Sequence, residues 1–556
     1  MSAVSARRMA LILPLLLTLL FGSGIGPWGG NGVAAGPAPR ANAEGTPTAI
    51  GSLLTWGSDD YGQMGDGAVA PDVPAPQQVV LPTGIPVTDI ASGGNHSLAL
   101  LADGTVFAWG YDNRGQLGDG VVGGPDTCPG GSVCHATPQA VLLPAGARVT
   151  AIAAGAGFSL ALLADGTLLA WGNDSRGQLG DGTVGGPDTC NGNPDCHATP
   201  HAVLLPPGAR VTAIAAGFAH SLALLADGTV LAWGSDGFNG QLGDGTVGTP
   251  SDVPTPQPVL LPTGARVTAI AAGLNHSLAL LADGTLLAWG ADNFGQLGDG
   301  TAGGSSEAPT PQPVPGVTGV VAIAAGSGYN LALKADGTVV AWGRDGNGQL
   351  GDGSPQFSGC GCHPNAQPVP GLTNIVAIAA GFFHNFALKS DGTLMTWGAN
   401  NNGQLGDGTT VNSGCFCRPT PQRVPGVNRV AAVIAGADTS LVILAAPTAT
   451  ATAADDKGAV YGAASVTLSA TVTSGAGAVN GGSVTFTVKN AGSATVGVPV
   501  TGQVNATVGG AAICGSFGTS AHPAAGGRRG WGGPAQQHHR GLRWGGSRWR
   551  CGPMAG

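Results

Sequence analysis

The sequence contains few charged and few aromatic residues. Lys, Arg, Asp and Glu make up 10% of the 556 residues and aromatic residues 5%, whereas 99 residues are Gly. Scarce charge argues against a mainly helical protein, and abundant Gly is typical of a β-protein with many turns. We therefore expect an all-β fold with slight helix content.

Basic residues are scarce between the two ends of the chain. Of the 22 Lys and Arg, three precede residue 44 and six lie in the last 30 residues, whereas all 31 Asp and Glu lie between. The central part therefore carries a formal charge of −18. Such a field repels phosphate backbones and gives no gain from counterion release, so we expect no nucleic-acid partner. Solubility alone explains the acidic surface equally well.

The N-terminal apolar run is too short to cross a membrane as an ordinary helix. Residues 9–21 follow Arg7 and Arg8, and Ala41 and Ala43 give the small-residue spacing of a cleavage site. We predict a signal peptide over residues 1–43, a secreted or cell-surface location, and no membrane span after cleavage. An uncleaved anchor is the alternative.

A tryptophan-containing segment recurs seven times along the chain. The repeats are 53 to 62 residues apart, and their tryptophans are Trp56, Trp109, Trp171, Trp233, Trp289, Trp342 and Trp397. Such periods are typical of a propeller or solenoid, whose units bury their apolar faces against one another.

Each repeat has the pattern of β-strands joined by tight turns. Asp227-Gly228 lies between two apolar runs, which predicts a β-hairpin with a type I′ turn. These runs are apolar on both faces, so the strands must be covered on both sides, as in stacked blades. Segments such as residues 255–258, rich in Thr, Pro and Gln, are predicted to be outer strands.

The two ends of the array are complementary halves of one repeat. Residues 53–67 supply the second half of a unit and residues 430–444 the first half. A ring can close by pairing these strands and so remove its exposed edges. We therefore predict a propeller of seven blades over residues 47–446, the seventh made from both chain ends.

The repeated pattern resembles the regulator of chromosome condensation repeat family. The resemblance rests on residues 271–280, followed by Asp283-Gly284, Trp289-Gly290 and residues 295–298, and covers roughly residues 50–446. It implies a seven-bladed β-propeller. The family includes a nucleotide exchange factor for a small GTPase that docks on nucleosomes, and many plain protein-interaction modules. No stretch matches an exchange site residue by residue.

Eight of the ten cysteines lie in loops that follow a Gly-Asp-Gly motif. The candidate pairs are Cys128 with Cys134, Cys190 with Cys196, Cys360 with Cys362 and Cys415 with Cys417. Equivalent positions place all four loops on one face, and pairing within each loop would fit an oxidising compartment. For the last two pairs a reduced or cross-loop state stays open. Metal binding is the alternative to disulfide formation, since three of these cysteines directly precede a histidine. However, no set of ligands that converges within one loop is evident.

Four histidines occupy one slot of the repeat. His96, His220, His276 and His384 share it with Phe158, Tyr329 and Thr439. Equivalent positions spread round a ring cannot converge on one substrate, so we predict a packing or hydrogen-bonding role. Asp112 and Asp292 each begin a short segment that resembles a calcium-binding loop, but these segments lack the acidic residue at the twelfth position of an EF-hand loop. Aspartate side chains that hydrogen-bond within their own turns explain the segments better. We assign no catalytic, cofactor-binding or metal-ligating residue.

After residue 446 the repeat stops. Residues 466–473 and 484–488 alternate apolar and polar side chains, as half-buried strands require. This segment resembles a bacterial immunoglobulin-like domain, and we predict a partial β-sandwich over residues 447–512. Residues 513–556 are predicted to be a disordered basic tail, interpreted as a translated wrong frame; a polyanion-binding tail is the alternative.

The sequence predicts an exported, non-enzymatic platform that binds a protein or cell-envelope partner through its loop-bearing face. The second hypothesis is an enzyme: an exchange factor by family analogy, or a secreted enzyme with a site in the central funnel. A shared fold alone is not evidence for a shared activity. Neither the partner nor the oligomeric state can be deduced from the sequence.

Overall fold

The structure is a computed structural model, in which two units are described separately. The first unit is described at Trp28–Gly29 and over residues 52–445. Within the second range there are gaps at 191, 238, 249–251, 304–306, 355–360 and 412–415. The second unit is described at five short strands after residue 449. The predicted signal peptide lies outside the described residues apart from Trp28–Gly29. The predicted tail, residues 513–556, also lies outside them apart from Ile513 and Cys514, which end a β-strand.

The first unit is a seven-bladed β-propeller, as the sequence predicts. Blade 1 consists of β4 (Val87–Ser92), β5 (His96–Leu101), β6 (Val106–Tyr111), β7 (Asp126–Cys128) and β8 (Ser132–Ala140). Blade 2 consists of β9 (Val149–Ala154), β10 (Phe158–Leu163), β11 (Leu168–Asn173), β12 (Asp188–Cys190) and β13 (Asn193–Ala202). Blade 3 consists of β14 (Val211–Ala216), β15 (His220–Leu225), β16 (Val230–Ser235) and β17 (Asp252–Pro258).

The next three blades repeat the same order from the innermost to the outermost strand. Blade 4 consists of β18 (Val267–Ala272), β19 (His276–Leu281), β20 (Leu286–Gly290) and β21 (Ala308–Pro313). Blade 5 consists of β22 (Val320–Ala325), β23 (Tyr329–Lys334), β24 (Val339–Arg344) and β25 (Cys362–Pro368). Blade 6 consists of β26 (Ile375–Ala380), β27 (His384–Lys389), β28 (Leu394–Ala399) and β29 (Cys417–Arg423), with β1 (Trp28–Gly29) parallel to β26.

Blade 7 is built from both ends of the array. Its strands are β30 (Val430–Ala435), β31 (Thr439–Leu444), β2 (Leu53–Ser58) and β3 (Asp72–Gln78). β2 pairs antiparallel with β31 in a register that places Trp56 opposite Ser440. The predicted closure of the ring is therefore confirmed.

The hydrophobic cores lie between neighbouring blades. One buried cluster joins Leu98 of blade 1 to Ile152 and Trp171 of blade 2, and each other cluster likewise contains residues of adjacent blades. Both faces of each sheet are thus covered, which explains why the strands lack polar alternation. All seven repeat tryptophans are fully buried.

The hairpins differ in one respect from the predicted type I′ turn. Gly228 has φ of 90°, but Asp227 is not among the described residues with positive φ. Gly228 N–H donates to Leu225 O, and Leu225 N–H to Thr229 O, which gives a three-residue loop with glycine in the left-handed region. Asp227 instead accepts a hydrogen bond from Thr229 N–H at 2.9 Å. The type I′ prediction was wrong because the Asp side chain stabilises the turn without a positive φ of its own.

The described residues of the propeller contain no α-helix, only one 3-10 turn at Pro129–Gly131. In the described part of the chain, no helix combines the length and apolarity needed to cross a membrane.

The second unit contains two small antiparallel sheets. One pairs β32 (Thr450–Thr452) with β33 (Thr471–Thr473), and the other has the order β34 (Ser483–Phe486), β35 (Val500–Thr507), β36 (Gly510–Cys514). These strands agree with an all-β segment. The remainder of the predicted sandwich, residues 447–512, lies outside the described residues.

Candidate binding face and its histidine clusters

One face of the propeller carries most of the candidate functional residues, and we call it the loop face. In each blade it contains the turn between the first two strands and the loop between the third and fourth, residues 93–95 and 112–125 in blade 1. The opposite face carries the Asp-Gly hairpins. Antiparallel order places these connections at alternate ends of every sheet.

Buried aspartates shape the long loops. Asp112 accepts hydrogen bonds from the Leu117 and Gly123 N–H groups at 3.1 and 3.0 Å, and Asp174 accepts one from Leu179 N–H at 2.9 Å. Burial raises the pKa of both carboxyl groups to about 8, although their backbone hydrogen bonds oppose the shift. These contacts agree with the predicted turn chemistry.

The loops also join each blade to the next. The indole N–H of Trp171 in blade 2 donates to Gln116 O in the loop of blade 1 at 2.9 Å, and Ser159 Oγ donates to the same oxygen at 3.0 Å. All seven repeat tryptophans donate to the equivalent glutamine carbonyl of the neighbouring blade. The loop face is therefore held on rigid blade interfaces.

The repeated histidines bridge blades as well. His96 Nε2 lies 2.9 Å from Ser159 Oγ, and His384 Nε2 lies 2.9 Å from Ser440 Oγ. Burial lowers the pKa of His96 to about 3. A Cβ atom on Gly217 would lie only 2.2 Å from Cε1 of the His220 ring, so glycine is needed at this position. These contacts support a structural role for the slot.

Two of the four predicted cysteine pairs are at disulfide distance. Cys128 bonds to Cys134 and Cys190 to Cys196, each within the loop of its blade. Each bond ties a short extra strand, β7 or β12, to the outer strand of the blade. Cys360 and Cys415 lie outside the described residues, so the pairs Cys360 with Cys362 and Cys415 with Cys417 stay predictions.

A depression of about 240 Å³ lies on the loop face where blades 1, 2 and 3 meet. Tyr111, Arg114, Arg176 and Phe218 contribute to its lining. The two arginines form ion pairs that connect blades, Arg114 with Asp195 and Arg176 with Asp252. The depression is therefore lined by two aromatic side chains and by two arginines whose charges are paired with aspartates.

Aromatic and arginine side chains continue around the loop face. The guanidinium of Arg344 lies between the rings of Phe294 and Phe383, 4.9 and 4.8 Å from their centroids. The ring centroids of Tyr61 and Tyr111 are 4.5 Å apart. The repeat pattern does not indicate these residues, because they occupy positions where the repeats differ. That variability was the signal that could have indicated them.

Three loops bring a histidine beside the aspartate of the Gly-Asp-Gly motif. His135 Nε2 lies 3.5 Å from Asp119 Oδ2, and His363 Nε2 lies 3.5 Å from Asp352 Oδ2. In blade 2, His197 and His201 both approach Asp181, at 3.2 and 3.5 Å. Their rings stack with centroids 3.9 Å apart. In the sequence these histidines stand beside cysteines or outside the repeat pattern, and nothing in the residue spacing indicates that they face the aspartates.

Comparisons with known proteins agree with this architecture. The RCC1-like domain model matches residues 52–442. The ultraviolet-B receptor UVR8 of Arabidopsis thaliana is 29% identical over 363 residues, which cover 65% of this chain and 76% of the receptor. The secretion-regulating guanine nucleotide exchange factor of Bos taurus is 30% identical over 417 residues, which cover 70% of this chain and 82% of that protein.

Among solved structures, Prp20p of Saccharomyces cerevisiae superposes with a TM-score of 0.58 at 24% identity, covering 71% of this chain and 92% of that chain. At this identity the likeness concerns the fold. The match of the domain model over most of the chain shows more than the fold: the chain belongs to the RCC1-like domain family.

Proposed function

We propose that the chain is an exported, non-enzymatic platform that binds a protein partner through the loop face. The observation that carries this proposal is the set of aromatic and arginine side chains there. Phe218 is 48% exposed, and Arg344 is held between two phenylalanines. Tyrosine and arginine are enriched among the residues that dominate protein–protein binding energy.

The construction of the loop face supports binding rather than catalysis. Its residues are fixed by hydrogen bonds between blades and by two disulfides, so little conformational entropy is lost when a partner docks. The repeated histidines, such as His96 and His384, make hydrogen-bond contacts with the neighbouring blade. An envelope or secreted location agrees with the predicted leader and with disulfide-bonded loops. The predicted immunoglobulin-like segment, residues 447–512, would serve as a spacer.

A second candidate is a nucleotide exchange factor. It is favoured by the 30% identity to the bovine secretion-regulating guanine nucleotide exchange factor. Exchange would require a small GTPase in the same compartment as the chain. The predicted export argues against that encounter.

We expect loop-face substitutions to weaken partner binding strongly. Phe218→Ala and Arg344→Ala should each lower the affinity about 30-fold, corresponding to about 2 kcal/mol. The partner is first captured by photo-crosslinking from cell-envelope and culture-medium fractions and purified. Its affinity for each variant of the full chain is then measured by calorimetry.

The matched control is Lys334→Ala on the opposite face, where Lys334 makes an exposed ion pair with Asp336. The affinity of the Lys334→Ala variant for the partner should equal that of the wild type. A loss of binding with Lys334→Ala and none with the loop-face variants would contradict the proposed surface. Accelerated nucleotide release from a small GTPase would contradict the non-enzymatic function.

A further inference from the structure

We propose that Asp181, His197 and His201 form a binding site for one divalent transition-metal ion of the zinc class. His197 and His201 lie on the outer strand of blade 2 and Asp181 lies in its Gly-Asp-Gly loop, with the three ligand atoms within 4.8 Å of one another. Asp181 belongs to a loop of the loop face, but none of the three ligands is among the aromatic and arginine side chains that carry the proposed protein binding, so the two proposals are tested by different variants.

The distances suit such an ion. Zinc bonds of about 2.0 to 2.1 Å to nitrogen and oxygen in tetrahedral geometry place neighbouring ligand atoms about 3.3 Å apart. His197 Nε2 and His201 Nε2 lie 3.2 and 3.5 Å from Asp181 Oδ2. Two imidazole nitrogens and one carboxylate oxygen favour zinc-class ions over calcium or magnesium, which prefer oxygen ligands. A fourth coordination position is left for water or an added ligand.

The two nitrogens have no other role among the described residues. His197 Nε2 and His201 Nε2 are buried and make no hydrogen bond there. The equivalent atom in blade 1 is occupied, because His135 Nε2 lies 2.9 Å from Gly123 O.

His201 is a departure from the repeat. At the equivalent register position, the other six blades carry a glutamine: Gln77, Gln139, Gln257, Gln312, Gln367 and Gln422. Gln139 donates to the backbone and side-chain oxygens of Thr137, both at 3.1 Å. The fold thus uses glutamine at this position, and histidine adds a ligand that the fold does not require.

The strand geometry brings the two histidines together. Four residues along a regular strand span about 13 Å. A register shift in β13 places His197 opposite Gly172 and His201 opposite Ala170, so four residues cover the length of two. The two rings stack with their centroids 3.9 Å apart, and both Nε2 atoms lie within 3.5 Å of Asp181 Oδ2. The same register shift occurs in all seven blades, so the bulge belongs to the fold, and the histidine at position 201 is the feature particular to blade 2.

Metal titration of the full, oxidised chain tests the site. After chelator treatment and alkylation of any free thiols, Zn²⁺ binding is followed by calorimetry and Co²⁺ binding by its visible absorption. We expect one tight site in the wild type. His201→Gln, which restores the residue of the other blades, should weaken that site about 100-fold or more. Asp181→Asn should do the same while keeping the Oδ1 contact with Thr183 N–H.

A gain-of-site variant provides the reciprocal test. Gln367→His adds the missing ligand in blade 5, where Asp352 and His363 already occupy the other two positions and His363 Nε2 makes no hydrogen bond among the described residues. We expect its stoichiometry to rise from one ion to two. Circular dichroism verifies that each variant is folded. Equal Zn²⁺ affinity and stoichiometry in the wild type, His201→Gln and Asp181→Asn would overturn the proposal and leave the cluster as an ion pair.

Discussion

Deletion of residues 52–67 should abolish the cooperative unfolding transition of the whole propeller. The deletion removes β2, the third strand of blade 7, and with it Trp56, which is fully buried. Loss of a buried Trp side chain alone costs about 3–5 kcal/mol, while whole domains have about 5–15 kcal/mol of stability. β31 would also lose its partner and become an exposed edge.

Thermal unfolding followed by circular dichroism and calorimetry measures this effect. The control is deletion of residues 447–556, which leaves every propeller strand in place and should preserve the transition of blades 1–7. A chain without residues 52–67 that melts as late and as sharply as the wild type would mean that blade 7 does not close the ring.

His96→Phe should make the propeller less sensitive to acid. The folded-state pKa of His96 is about 3, below the 6.5 of an ordinary histidine, because the ring is completely buried. Below pH 6.5 the unfolded chain therefore takes up a proton that the folded chain does not. Stability from neutral His96 is complete above pH 6.5 and is lost as the pH falls toward 3. Between pH 7 and 4.5 the loss amounts to about 2–3 kcal/mol.

The difference in unfolding free energy between wild type and variant isolates this contribution. Buried carboxyls such as Asp112, whose pKa is raised to about 8, act with the opposite sign and partly cancel the histidines in either protein alone. Phenylalanine fits the slot, since Phe158 occupies it in blade 2 with 0% exposure. Thr439→Val, in the same slot of blade 7, is the non-titrating control. A difference that stays constant from pH 7 to 4.5 would show that His96 can be protonated in the folded state.

The repeat made most of the propeller predictable from the sequence. Seven tryptophan segments gave the number of blades, and the half-repeats at residues 53–67 and 430–444 gave the closure. Equivalence between repeats also explained the histidine slot, since contacts such as that of His96 with Ser159 recur at four of the interfaces between blades. Periodic packing is carried by residue type and spacing, which the sequence displays directly.

The candidate sites were less predictable because they depend on local departures from the repeat. In blade 2 the departure is His201 in place of glutamine, and its approach to His197 depends on a bulge that all seven blades share but that residue spacing alone does not indicate. The position of Arg344 between Phe294 and Phe383 joins three blades, and these residues are about 50 and 39 positions apart in sequence. The type I′ turn failed for a related reason, since an Asp side chain can stabilise more than one turn.

Hydrogen exchange of the intact chain tests the closed ring most directly. If both chain ends form blade 7, amides of β2 and β31 should open only with the rest of the propeller. Their opening free energies should then lie within about 1 kcal/mol of those of blade 3. Fast exchange of residues 53–58 and 439–444, while residues 211–235 stay protected, would contradict the closed ring.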